Sequence, residues 1–272
     1  MKALLILTDI RSGSTWVGKL MSGTGKLGNA EEYLRIDRQR NVRDPEQVFE
    51  SIMKEARTEN GVFAVKIFPY DLRAFHNHFG YDFIDRCCAD HDVSILILER
   101  RDRLGQAISA VRASQTNRWS ATDPASVIPG SPEPQEHYDF RAIMREINRI
   151  SESMAYWRTY VAVRNLPFGF EFYEDILDDS AAFLRRVGNR LGIELPSDLP
   201  TATTMRIQRD GTTEQWRTRF LSDFESVRKT GVLWRLHLVK RTLRNLKAIA
   251  LKKPVETIPL LDFLPVNSRR KP

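Results

Sequence analysis

The residues best equipped for chemistry stand near the N-terminus: Arg11-Ser12-Gly13-Ser14-Thr15-Trp16, followed by Glu31-Glu32. A guanidinium, hydroxyls and a glycine in so short a run make an oxyanion cradle if a helix begins there. The first N–H groups of a helix have no internal partner and point outward. Glu32, 21 positions beyond Arg11, becomes a general base if the chain returns it to that cradle. On composition alone the acidic pair reads first as two solvated carboxylates. A third group, Arg100-Arg101-Asp102 with Ser109 further on, follows an apolar run and offers a place for a second anion.

Several chemistries are disfavoured. Gly13 to Leu20 matches the nucleotide P-loop pattern G-x-x-x-x-G-K-[ST] up to Leu20, which has no hydroxyl for Mg²⁺. If the strand ends near Asp9, Gly18 and Lys19 already lie inside the helix. The clearest strand ends in Leu98-Glu99-Arg100, without a convincing magnesium-binding aspartate. A nucleotide kinase therefore stands as the alternative enzyme, one that would require Mg-ATP. His76, His78, His91, His137 and His237 show no metal-ligand spacing with a third ligand nearby, and no metal is expected. There is no G-x-S-x-G elbow, and Ser14 has no evident histidine partner. Adjacent Cys87 and Cys88 suggest neither a disulfide framework nor a zinc site and fit a reducing, cytoplasmic compartment.

The elements that must position these groups follow from the apolar pattern. Residues 3–7 and 62–67 read as buried strands, 93–98 as the third and clearest strand and 168–172 as a fourth. Helices are predicted from Val17, over 45–58, 71–88, 102–116, 138–163 and 180–191. Strands separated by helices predict a parallel sheet with right-handed crossovers, and strand ends that share one rim. Residues 117–137 hold four prolines and few apolar side chains, which predicts a long mobile loop of the kind that serves as a lid.

Taken together, Arg11-Ser12-Gly13-Ser14-Thr15, Glu31-Glu32-Tyr33, Val65-Lys66, the run Arg100 to Ser109, Arg112 to Thr116, Trp119, Tyr138, Trp157, Phe172-Tyr173-Glu174 and Gln208…Trp216 resemble the bacterial carbohydrate sulfotransferases of the trehalose 2-sulfotransferase type. The resemblance spans roughly residues 3–222. It implies a P-loop-kinase-like α/β fold and 3′-phosphoadenosine 5′-phosphosulfate (PAPS) as sulfuryl donor. It also implies a carbohydrate acceptor and allows a homodimer; a lipid-linked sugar enters as acceptor only through the basic C-terminal segment. On it, Arg11, Ser12, Gly13, Ser14, Thr15 and Trp16 wrap the phosphosulfate, and Arg100 and Ser109 hold the 3′-phosphate. Gln208 and Arg209 close over the nucleotide. Glu32 is the catalytic base, and Arg11 is the second catalytic residue. Asp102 stands where some relatives carry proline. Acceptor-binding residues vary, so trehalose itself is not implied.

Length and charge complete the expectation. A chain of 272 residues with 42% hydrophobic content can bury one sizeable α/β core. The net charge of +7 is local: nine Lys/Arg and no Asp/Glu lie within 228–253, and the remainder holds 33 basic against 35 acidic residues. Leu236, Val239, Leu243, Leu246 and Ala250 fall at helical spacing among these cations. The pattern predicts a basic amphipathic helix that docks on an anionic cytoplasmic leaflet or packs on protein. No binding module for nucleic acid accompanies the charge, although an adaptor using this segment alone is the third class of reading. The chain divides into a sulfotransferase domain, 1–222, and a basic helical extension, 223–272.

Overall fold

The computed structural model describes residues 1–39, 44–119, 135–199 and 210–230, the last four of these as backbone alone. Four strands, β1 (Lys2–Leu7), β2 (Phe63–Ile67), β3 (Asp92–Glu99) and β4 (Phe168–Phe172), form one sheet in the order β2-β1-β3-β4. Every neighbouring pair is parallel. Successive residues of β1 point to opposite faces, and both faces are covered. Ala3, Leu5 and Leu7 pack in one core with residues of α2 (Pro45–Glu55), α3 (Pro69–Phe79), α4 (Phe83–Asp90) and α6 (Phe140–Val163). Leu4 and Ile6 pack in a second core with α1 (Ser14–Ser22), α7 (Tyr173–Asp178) and α8 (Ser180–Leu191). Burial on both sides is why the strand is apolar without alternation.

The chain leaves β1 for β2 on one side and later reaches β3 on the other. The carboxyl ends of β1 and β3 therefore flank a topological switch point, where open α/β sheets bind ligands. A third core joins α5 (Arg103–Thr116), α6 and α9 (Gly211–Thr230) through Ile108, Val111, Ile150, Trp216 and Phe220.

Two elements differ from the sequence expectation. The helix expected over 71–88 is two helices: Gly80 takes φ 82° at the end of α3, and the Asp82 carboxylate caps α4 by accepting from the N–H groups of Ile84 and Asp85. Helices α7 and α9 are additions to the predicted set, and α9 runs across residue 222. The predicted lid (largely 120–134), the pair Gln208 and Arg209, and the basic helix beyond Thr230 lie outside the described residues.

Candidate active site

The loop between β1 and α1 is braced through its carbonyls at Thr8, Ile10 and Arg11, while the N–H groups of Thr8 and Ile10 are held by Ile67 O and the Asp9 carboxylate. Trp157 Nε1 donates to Thr8 O (2.9 Å), Gln106 Nε2 to Ile10 O (2.7 Å) and Arg100 Nη1 to Arg11 O (3.1 Å). The Thr8 hydroxyl lies 2.8 Å from Leu98 O, which ties the loop to β3. Arg11 takes φ 57° and Gly13 φ 88°. At Gly13 a Cβ would stand 2.2 Å from the Tyr173 ring, so only glycine fits this turn. No side chain caps α1, and its first turn carries no acid. Its leading N–H groups are left for an anion.

Cations converge on this loop. Arg11 Nε donates to Ser109 Oγ at 2.8 Å, joining the cradle to α5. Burial, and then the facing guanidiniums of Arg100 and Arg112, hold Arg11 below the ordinary arginine pKa. Such mutual repulsion is relieved by a bound anion. Arg100 lies over the Tyr173 ring at 5.9 Å, and its Nε is buried without a hydrogen-bond partner among the described residues. Arg112 is engaged by Glu136 (2.8 Å), Asp210 (2.7 and 2.8 Å) and Thr213 (2.7 Å), which fastens the start of α9 to the same rim.

Glu32 reaches the cradle because the chain after α1 runs along β2. Glu31 forms an isolated parallel bridge with Val65, and Lys66 N donates to Glu31 O at 3.0 Å. Glu31 is exposed, whereas Glu32 faces inward. Its Oε1 lies 3.0 Å from Lys66 Nζ, and Lys66 Nζ lies 3.2 Å from Thr15 Oγ1. One buried ammonium thus links the carboxylate to the anion loop. A buried lysine needs such partners, since an unpaired charge is costly away from water.

A cleft of about 1530 Å³ gathers Arg11, Gly13, Ser14, Thr15, Trp16, Glu32, Arg100 and Ser109. Ser12 is the exception among the described candidates. Its hydroxyl turns inward to Thr8 (2.8 Å) and it is buried, so it braces the loop rather than lining the cleft. Gly18 and Lys19 lie within α1, and a Cβ on Gly18 would stand 2.5 Å from Ala30 O. This glycine allows close packing and is no part of a phosphate loop. Asp102 caps α5 by accepting from Gly105 N (2.9 Å) and also accepts from Arg217 (2.7 Å).

Sequence reasoning gives Lys66 no role, although a lone cation inside an apolar strand is a signal. Glu174 likewise has no role before the fold is known. Its carboxylate accepts from the backbone N–H groups of Arg101 (2.9 Å) and Asp102 (3.2 Å), fixing the turn that aims Arg100. Asp9, at the end of β1, is taken by Arg149 at 3.0 and 3.1 Å. Among the described residues no group of three His, Cys, Asp or Glu could hold a metal ion.

The chain is similar to a sulfotransferase from Alicyclobacillus acidocaldarius at 14% identity and TM-score 0.45, covering 81% of this chain and 91% of that one. It is similar to the sulfotransferase domain of the Synechococcus PCC 7002 olefin synthase at 15% identity and TM-score 0.43, covering 80% and 87%. A retinol dehydratase in complex with androsterone and the inactive cofactor PAP gives 13% identity and TM-score 0.37, covering 82% and 80%. No curated protein matches. The model of the Stf0 sulphotransferase family matches residues 3–223, most of the chain and all of the braced loop, its cations and Glu32. With that match the chain belongs to the Stf0 sulphotransferase family, and its activity is sulfuryl transfer.

Proposed function

We propose that this enzyme moves a sulfuryl group from PAPS to a hydroxyl of a carbohydrate or glycolipid acceptor by in-line displacement, with Glu32 as general base. The observation that carries the reading is the shared ammonium: Lys66 touches both the anion loop at Thr15 and the carboxylate of Glu32. A base and an anion cradle held that close suit a hydroxyl attacking a group bound in the cradle. PAPS supplies the electrophilic sulfur and a stabilised phosphate as leaving group. The residues suit it: the uncapped α1, the repelled Arg11 and Arg100, whose Nε makes no hydrogen bond among the described residues although Glu174 and Asp102 lie 4.0 and 3.6 Å from its guanidinium, present donors for anionic oxygens.

Glu32 accepts the proton of the acceptor hydroxyl. Arg11 and the loop N–H groups hold the charge that gathers on the phosphosulfate, already oriented before reaction. Arg100 and Ser109 take the 3′-phosphate, and Tyr173 forms the wall beneath them. Gln208 and Arg209 close the nucleotide side. The division into a catalytic domain, 1–222, and a basic extension, 223–272, belongs to the same reading, as does a cytoplasmic enzyme that meets a lipid-linked sugar at an anionic leaflet through 228–253. A homodimer is compatible with it.

The test pairs calorimetry with turnover. Adenosine 3′,5′-bisphosphate binds in preference to Mg-ATP, Arg100→Ala weakens it, and Glu32→Gln leaves it unchanged while lowering kcat by about 10²–10⁴-fold. Preference for Mg-ATP would return the near-match at Gly13 to Leu20 to consideration. Unchanged turnover in Glu32→Gln would remove Glu32 from the role of base.

A further inference from the structure

Asp71 stands in the first turn of α3, just past the carboxyl end of β2. It is only 6% exposed, yet it borders the cleft. Its carboxyl oxygens are not among the buried polar atoms that lack a partner, so the group opens on the cleft rather than into the core. The charged groups that act on it are Glu32, Arg35, Asp37 and Lys66. Both cations among them are committed elsewhere: Arg35 holds Asp37 through two bonds (3.1 and 2.7 Å), and Lys66 holds Glu32 (3.0 Å). Burial, and then the charge of Glu32, lift the Asp71 carboxyl to about 7. Nothing in its surroundings uses this group, and it opens on the space beside Glu32.

Resting on the sulfotransferase reading with a sugar acceptor, we propose that Asp71 is an acceptor-binding residue: it takes a second hydroxyl of the acceptor, neighbouring the one presented to Glu32. The acceptor class is then a neutral polyol with at least two adjacent hydroxyls. A hydroxyl both donates and accepts, so it satisfies Asp71 whether the carboxyl is ionised or protonated. An ammonium satisfies only the ionised form, and Arg35 and Lys66 already stand close by. A carboxylate-bearing acceptor would meet Glu32, Asp37 and Asp71 together. Beside Asp71, the half-exposed Tyr70 ring, stacked on Phe68 with ring centroids 5.6 Å apart, offers a flat apolar face of the kind on which a sugar ring rests.

The experiment uses the full chain with PAPS and a panel of methyl glucosides, galactosides and mannosides with their monodeoxy derivatives. The sulfated position is read by NMR. Removing the hydroxyl beside the sulfated one raises KM about tenfold in the unaltered enzyme and less than about twofold in Asp71→Ala, as expected when one hydrogen bond is lost in the first case and already absent in the second. Asp71→Leu, of similar size and equally unable to hydrogen-bond, replaces Asp71→Ala if the latter fails to fold, with bisphosphate calorimetry reporting an intact donor site. Equal deoxy penalties in enzyme and variant, or no penalty in either, overturn the inference while the sulfotransferase reading stands. Bisphosphate binding without turnover of any glycoside overturns the sugar acceptor itself, and the inference with it.

Discussion

Asp71 also makes a claim on stability. Its carboxyl is raised from 3.8 to about 7 by burial and by Glu32, so the folded chain holds that proton more tightly than the unfolded chain. Rising pH therefore erodes stability between pH 4 and 7, at about 1.4 kcal/mol per pH unit, and the loss is complete above 7. Asp71→Asn removes the penalty. Thermal melts should show the variant more stable than the parent by several degrees at pH 8 and indistinguishable from it near pH 4. A variant that is weaker at both values would mean that the carboxyl makes a bond worth more than its burial costs. A site residue that destabilises its own fold is what a ligand-facing group looks like when the ligand is absent from the balance. Asp71 is invisible in sequence, because Tyr-Asp-Leu after a proline reads as an ordinary helix start. The anion loop at Arg11 to Thr15 is legible, because hydroxyls, a glycine and a guanidinium coincide where a strand gives way to a helix, whereas Glu32 is singled out only through the family resemblance.

Helix α1 and the segment Ala30 to Glu32 meet at Gly18, and their contact sets the distance between cradle and base. A Cβ at that glycine would come within 2.5 Å of Ala30 O, a backbone atom that cannot turn aside. Gly18→Ala should cost about 1–3 kcal/mol, the usual range for overpacking, visible in the urea midpoint. It should also lower kcat by moving Glu32 away from the loop, while bisphosphate affinity changes little. Unchanged turnover would show that the base does not depend on this contact. Strands β1 and β2 are legible because burial on both faces leaves runs that are apolar but for Lys66, β3 through its run Ile95 to Leu98, and the partly buried β4 through its alternating phenylalanines. The break between α3 and α4 is not, since periodicity continues across it, and Gly80 with Asp82 signals the stop and restart only once the pair is seen as cap and cap. Helix α9 escapes sequence reasoning because its buried contacts with α5 and α6 rest on few residues, Trp216 and Phe220 foremost, in a mostly polar stretch.

Across the whole molecule, charge separates into a nearly balanced body and a cationic segment after Arg228. Among the described residues no helix is long and apolar enough to cross a membrane. The nine cations of 228–253, with no acid among them, make contact of that segment with an anionic lipid surface sensitive to salt. In flotation with phosphatidylglycerol vesicles, the full chain should rise with the lipid, while a chain ending at Thr230, which keeps α9 whole, should stay at the bottom. Equal behaviour of the two would assign the segment to protein contacts instead. The edge of the sheet carries a further consequence. Strand β2 is outermost, and a bare edge strand invites pairing with another chain. Its outward N–H groups are already spent: Ala64 N donates to Ala56 O at 3.2 Å and Lys66 N to Glu31 O at 3.0 Å. The short stretch that delivers Glu32 to the cleft thus covers one of these two donors and Ala56 the other, so a mutation that frees Glu31 and Glu32 from β2 would open part of this edge to intermolecular strand addition as it disarms the enzyme.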